Sequence, residues 1–361
     1  MHIGFVSGLS DHKLSQKLAP LQAMEEVEKI TLFRRQRFVG EKVYWQPMPE
    51  FASKNQWLGD SWRMGQLLLR SSKCDLLVGC HQRFHGVLAA LTGKIFKIPT
   101  AQLVITEFDV MWGHPAYNWA IRQAMLVGVR GQKAKARCLE SLKNSKTVTF
   151  VPPNLFDCQT PPLPDLHTNR DIDVLYVGSF TNEKNIPMLV EILKGIKDKI
   201  GSLQGAVIGR GPWGKFLRLE LIKQQLHNDV NIIDHIPQDA LAAYYQRAKL
   251  LLLPSRSEGF PMVIPEAMSW ATPVVATDVG DISDIITHGK NGFLHANDDC
   301  GGLVASCVAI IDNDKLSSVM RANARKALDE FVVQSSLAKA VAQWRQAFVQ
   351  LTDSGLLLVK K

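Results

Sequence analysis

Short unbroken apolar runs alternate along this chain with longer stretches whose apolar positions recur every three or four residues. The runs are HIGFVSG at 2–8, CDLLVGC at 74–80, IPTAQLV at 98–104, TVTFV at 147–151, DVLYVGS at 173–179, GAVIG at 205–209, VNII at 230–233 and LLLL at 250–253. Apolar on consecutive positions and short, they predict strands buried on both faces of a parallel sheet. Between them, NIPMLVEILKGI at 185–196 and DALAAYYQRAK at 239–249 carry helical spacing. LAKAVAQWRQAFVQL at 337–351 does too, with Leu337, Val341, Trp344 and Phe348 on one stripe. The segment 118–143 reads as one long amphipathic stretch that places Arg130, Lys133 and Arg137 on a shared face. Strand alternating with helix predicts an α/β chain of parallel sheets joined by right-handed crossovers.

The stretch from Leu250 to Leu294 holds the densest candidate chemistry. Its leucine run closes at Pro254, and Glu258 and Gly259 then fall in a loop at the carboxyl end of a strand, where open α/β sheets bind ligands. MVIPEAMSWA reads as the following helix, provided Pro265 lies in its first turn. Glu266, eight positions after Glu258, comes off the helix start. Amides of Phe260, Met262 and Val263 there offer donors and a positive dipole end to a pyrophosphate, so no metal is required. A carboxylate accepts paired hydrogen bonds from vicinal hydroxyls, which suits Glu258 to a sugar ring and Glu266 to a ribose. Taken singly, each glutamate reads equally as a solvated loop residue or a dipole complement.

Composition narrows the class. At 361 residues the chain suits two domains, and 46% hydrophobic with 21% charged residues excludes long disorder. Six cysteines without a C-x-x-C pair fit reduced thiols. No leader pattern or run of about 18 apolar residues is present, so the expectation is a cytoplasmic protein, soluble or peripheral. Residues 1–165 carry 21 Lys and Arg against 13 Asp and Glu, while the remainder balances at 21 of each. The whole excess of +8 therefore lies in the first half. It points to an anionic partner or an anionic membrane surface, through Arg34, Arg35 and Arg37 or through Arg130, Lys133, Lys135 and Arg137 with the apolar neighbours Met125, Leu126 and Val129. Charge alone, without an aromatic recognition motif, gives no case for nucleic acid.

The run Glu258-Gly259-Phe260, Glu266-Ala267-Met268, Pro273 to Thr277 and Asn291-Gly292 resembles the donor-site signature of glycosyltransferase family 4. The resemblance covers the second half and, more weakly, most of the first. It implies a GT-B fold: two Rossmann-like parallel-sheet domains facing across a cleft, with a C-terminal helix crossing back to the first. The expected domains are 1–165 with the helix at about 336–352 for the acceptor, and 166–335 for the nucleotide sugar. Donor contacts implied are Gly178, Ser179, Lys184, Gly209, Arg210, Glu258, Gly259, Phe260, Pro261, Met262, Val263 and Glu266, with Gly8 on the acceptor side. Three departures stand out. Ser179 occupies the place of the family's pyrophosphate arginine, leaving Lys184 as the cation there. Gly8-Leu9 replaces a Gly-Gly loop. The family's histidine near the reacting carbon is missing after the strand that leads into Thr106-Glu107-Phe108-Asp109, so Glu107, Asp109, His81, His85 and His114 are the alternatives. VPPNLFD, with Asn154 and Asp157, is similar to the family's exit from the first domain, and Pro161, Pro162 and Pro164 read as a linker.

The resemblance implies a retaining, metal-independent glycosyltransferase with a nucleotide sugar as substrate, no separate cofactor, and a glycan, lipid-linked or other hydroxyl acceptor. The departing diphosphate takes the acceptor's proton in that mechanism. The competing reading is a binding-only relative that holds a nucleotide sugar or glycan for a partner enzyme.

Overall fold

The computed structural model describes residues 1–80, 82–105, 113–143, 147–152, 155–156, 170–234 and 236–353. The chain divides into two units, Met1–Phe156 with Gln334–Lys361, and Asp157–Val333. Asn154, Asp157 and the prolines read as a linker lie outside the described residues.

Among the described residues the first unit is built on seven strands: β1 (His2–Ser7), β2 (Lys29–Phe33), β3 (Val43–Trp45), β4 (Leu76–Cys80), β5 (Thr100–Leu103), β6 (Leu126–Gly128) and β7 (Val148–Phe150). Their order is β3-β2-β1-β4-β5-β6-β7 and every pairing is parallel. Chain order reverses between β1 and β4, which pair as Phe5 with Val78 and Ser7 with Cys80. A crevice opens beyond the carboxyl ends at such a reversal. Strand pleat divides the core: Ile3 and Phe5 face one side with Leu14, Leu18 and Leu21 of the helix Asp11–Ala23, while Val6 packs on the other with Leu67 and Leu88.

The helix Leu337–Asp353 belongs to this first unit, far from it in sequence. Trp344 is fully buried, its ring centroid 4.7 Å from that of Phe150, and Phe348 and Leu351 join the Ile3 and Phe5 cluster. Arg345 adds a pair to Glu26 at 2.8 Å. Leu337 is exposed and stands off the buried stripe.

In the second unit the described strands are β8 (Ile172–Val177), β9 (Gly205–Ile208), β10 (Val230–Ile233), β11 (Ala248–Leu253), β12 (Val274–Thr277) and β13 (Gly292–His295). Their order, β10-β9-β8-β11-β12-β13, is again wholly parallel and reverses between β8 and β11. Leu250 and Leu252 pack with Val174, Tyr176 and the helix Ile186–Ile200 through Leu189, Leu193 and Ile196. That helix starts with Pro187 in its first turn and stops at Gly201, φ +77°, whose N–H bonds Lys197 O.

One expectation fails. Residues 118–143 are two helices, Pro115–Gln123 and Gln132–Ser141, split by the buried strand β6. Arg130 precedes the second helix, and Leu126 and Val129 are buried at 0% and 1% exposure, so they offer nothing to a lipid surface. A run such as MLVGV fits the apolar stripe of a helix as well as a strand, and only Gly128 and Gly131 argued for a break. No helix among the described residues is long and apolar enough to cross a membrane.

Candidate functional site

In the second unit the loops leaving β8, β9, β11 and β12 meet at the reversal between β8 and β11. Leu250 pairs with Val174 and Leu251 with Leu175, so the two strands end side by side. The β11 loop carries Glu258, 9% exposed. Its Oε1 accepts from Ser255 Oγ at 2.7 Å and from Lys184 Nζ, which arrives on the β8 loop. Ser255 is in turn fixed by Thr277 at the end of β12, whose hydroxyl donates to Ser255 O at 2.5 Å. The carboxylate is therefore oriented from three strands, and the lysine pair spans the reversal. Tyr176 lies beneath: burial first, and then the charge of Glu258, push its hydroxyl's pKa up, so it stays protonated. It donates to Ser179 O at 3.2 Å, while the Ser179 side chain is exposed.

The backbone in these loops is compact enough to demand glycine. A Cβ on Gly209, φ +152°, would stand 1.8 Å from Gly178 O, so the β8 and β9 loops touch main chain to main chain. Phe180 N donates to Arg210 O at 3.0 Å across the same contact, and the Arg210 side chain is exposed. On the other flank a Cβ on Gly280, φ +57°, would meet Glu258 O at 2.2 Å, and Asp281 N donates to Gly259 O.

The helix after Glu258 is short, Val263–Ser269, with Pro265 as its third residue, inside the first turn as its missing N–H requires. Met262 and Val263 are half-buried at its start, and Pro261 is buried. Phe260 is also buried, its ring stacked on Phe331 at 5.1 Å, so its side chain serves packing. Glu266 is half-buried and its Oε2 accepts from Tyr245 OH at 2.9 Å. Burial raises its pKa and the tyrosine bond opposes this, with the net upward. Both glutamates thus present fixed acceptors suited to hydroxyl groups, beside one ammonium suited to an anion.

The structure brings together Gly178, Ser179, Lys184, Gly209, Arg210, Glu258, Gly259, Phe260, Pro261, Met262, Val263 and Glu266 around adjoining loops of one unit. Ser255 and Tyr245 were not singled out by sequence, and Thr277 entered only as the end of the Pro273 to Thr277 signature. Ser255, three positions before Glu258, left the one usable trace: a hydroxyl within a turn's reach of the carboxylate. Tyr245 gave none beyond a place in a helix. In the first unit, Gly8 follows β1, and a Cβ there would meet the His85 ring at 2.5 Å; His85 follows β4 on a π-helical turn, Gln82–Gly86. His114 stacks on Tyr117 at 4.1 Å. His81, Glu107 and Asp109 lie outside the described residues.

Two parallel-sheet Rossmann-like units, the second with a lysine and two fixed glutamates on adjoining loops and a short helix, define the GT-B class. The comparisons agree. Residues 165–327 match the model of glycosyl transferases group 1. An uncharacterized glycosyltransferase of Methanocaldococcus jannaschii is 24% identical over 82% of this chain and 81% of its own. A 2-deoxystreptamine N-acetyl-D-glucosaminyltransferase of Niallia circulans is 32% identical over 42% of this chain and 39% of its own, so this chain spans well under half of that relative. The structure of Anabaena HepE with UDP and glucose superposes at TM-score 0.73, with 18% identity, over 97% of this chain and all of that one. The chain has the GT-B fold and is similar to glycosyltransferases of the family 4 type, the glycosyl transferases group 1 match lying in its second unit.

Proposed function

We propose that the chain transfers a sugar from a nucleotide-sugar donor, held by the second unit, to a hydroxyl acceptor, with retention of configuration and without a metal. The observation that carries this is the Lys184, Glu258 and Ser255 cluster at the β8–β11 reversal, with Glu266 and Tyr245 one short helix away. Glu266 takes the ribose hydroxyls and Glu258 the hydroxyls of the sugar. Lys184 and the loop amides of Phe260, Met262 and Val263 face the diphosphate, and as the bond to the sugar breaks Lys184 steadies the charge that develops there. Chelation therefore leaves activity intact. With Ser179 exposed where the family has arginine, the burden on Lys184 rises. The acceptor is a glycan, a lipid-linked glycan or another hydroxyl compound, and the site of action is cytoplasmic, with a place at the inner face of a membrane if the acceptor is lipid-linked.

The test is a screen of UDP-, GDP- and ADP-sugars by thermal shift and nucleotide release, with the anomer of the product read by NMR and each assay repeated in EDTA. One donor class is expected to raise the melting temperature and to be consumed in EDTA with retention. No shift with any class removes the donor reading. A shift without turnover against any acceptor favours the binding-only alternative, and an inverted product or EDTA-sensitive turnover overturns the mechanism.

A further inference from the structure

At the matching reversal of the first unit, between β1 and β4, lies a cavity of about 910 Å³ lined by Gly8, Leu9 and Ser10 after β1, by Arg34, Arg35, Gln36 and Arg37 after β2, by Ser53, Asp60 and Arg63, and by Phe84 and His85 after β4. Four of its groups are guanidinium ions. Arg34 is buried at 2% exposure and spends one nitrogen on Asp11 at 2.8 Å and another on Gln36 at 3.0 Å. Arg63 is buried at 3%, pairs with Asp60, and donates to His85 Nε2 at 2.6 Å. Arginine can only donate, so that histidine nitrogen accepts and the ring is neutral. Arg63 Nε is buried without a hydrogen-bond partner among the described residues. Arg35 donates to the Ser53 carbonyl, and neither Arg35 nor Arg37 has a carboxylate partner among the described residues.

Four cations against two carboxylates, Asp11 and Asp60, leave two positive charges concentrated in one concave space. Repulsion within such a cluster is unfavourable unless an anion sits in it. Burial lowers the pKa of Arg63; its pair with Asp60 opposes this, and the charges of Arg35 and Arg34 add to the lowering. The guanidinium forks reach the cavity from two elements, the loop after β2 and the helix Gln56–Arg70, a layout that matches oxygens pointing in several directions better than the two coplanar oxygens of a carboxylate. The volume lies within the roughly 300–1,000 Å³ of small-molecule sites, large enough for more than the anion itself.

We infer that this cavity binds a dianionic phosphate monoester, and that the acceptor carries that group. The second clause rests on the proposed function, with the first unit as the acceptor side; the first clause stands on the cavity alone. Phosphate reaches the site either free on a soluble metabolite or as a lipid headgroup. The exposed Phe51, Trp57 and Leu69 stand on or beside the elements that line the cavity, so the lipid source has a surface to rest on.

The experiment titrates the full chain with inorganic phosphate at fixed ionic strength, using chloride as reference, and separately with phosphatidylcholine vesicles with and without phosphatidic acid. UDP and GDP binding is measured in parallel. Arg35→Gln with Arg37→Gln is expected to weaken phosphate binding at least tenfold and leave nucleotide binding unchanged. Lys133→Gln with Arg137→Gln removes the same charge from an exposed helix and is expected to change neither. Arg63→Gln repeats the test from the second element. Binding of inorganic phosphate marks a soluble source, and binding only of phosphatidic-acid vesicles marks a lipid source; either supports the site if the Arg35 and Arg37 pair loses it. Phosphate and vesicles both binding no better than their references, or the Lys133 and Arg137 control losing as much as the cavity variant, overturns the inference. Because nucleotide is read separately, a chain that binds phosphate but no nucleotide contradicts only the proposed function.

Discussion

The two units share a strand order and differ in what fills the crevice it creates. At the β8–β11 reversal, carboxylates predominate: Glu258 held by Ser255 and Lys184, Glu266 held by Tyr245. At the β1–β4 reversal arginines predominate, four of them with Asp60, and a neutral His85 lies against Gly8. Sheet topology sets where a ligand goes, and the loops set which ligand it is. The net charge of the two halves, +8 and zero, is therefore partly a difference between two sites and not only between two surfaces.

Removing the donor-side cation breaks this comparison most sharply. Lys184→Ala is expected to cost about 2–4 kcal/mol of transition-state stabilisation, roughly 30- to 1,000-fold in kcat/KM. It also leaves Glu258 without its ammonium partner, so the variant's melting temperature is measured alongside. Phosphate binding in the first unit is expected to stay unchanged. If turnover is retained, the charge at the β8–β11 reversal is structural, and the two crevices do not divide the work as argued.

How far the chain spelled this out differs between the units for a physical reason. The second unit was legible because its chemistry lies in one continuous run, Glu258 to Glu266, next to a strand of four leucines that can only be buried. Lys184 was legible only through family resemblance, since nothing local links it to a loop 74 positions away. In the first unit Arg34, Arg35 and Arg37 were noticed as charge. Their enclosure depends on Arg63 and His85, brought in from separate elements, and no local pattern encodes that. The misread segment at 118–143 shows the complementary limit. Periodicity cannot tell three buried strand residues from a turn of helix once glycines are the only punctuation.

Glu266 gives the second test, through pH. Its carboxyl, raised by burial above the ordinary value of 4.5, holds its proton to higher pH than a free glutamate. Donor hydroxyls need the ionised acceptor, so donor affinity is full above the raised pKa and falls as pH drops through it. Stability runs the opposite way. A carboxyl whose folded pKa exceeds its unfolded one favours the fold at low pH, and that contribution is lost as pH rises through the folded value. Glu266→Gln is expected to lower donor affinity by about 1.5–3 kcal/mol, the range for a hydrogen bond to a charged group, and to flatten the acidic limb. Calorimetric titration of the preferred nucleotide from acid to neutral pH reads both. An acidic limb that persists in the glutamine variant assigns it to another group.

The smallest effect separates position from charge within the donor crevice. Ser255→Ala leaves Glu258 and Lys184 in place and deletes the 2.7 Å bond that orients the carboxylate, while the bond from the Thr277 hydroxyl to the Ser255 backbone carbonyl is kept. Ser255 is fully buried, and its methyl replacement fits the space, so the change removes one hydrogen bond and opens little cavity. A loss of about 1 kcal/mol is expected. It should appear in kcat, with nucleotide affinity nearly unchanged, because in the proposed function Glu258 contacts the sugar, which moves in the transition state, and the nucleotide is held elsewhere. Ser255→Thr, which keeps a hydroxyl, should recover part of the rate if the β-branched methyl is accommodated. A loss that falls on nucleotide affinity instead would mean that Ser255 braces the whole loop from Pro254 to Pro261, and Glu258 would then have no separate claim on the sugar.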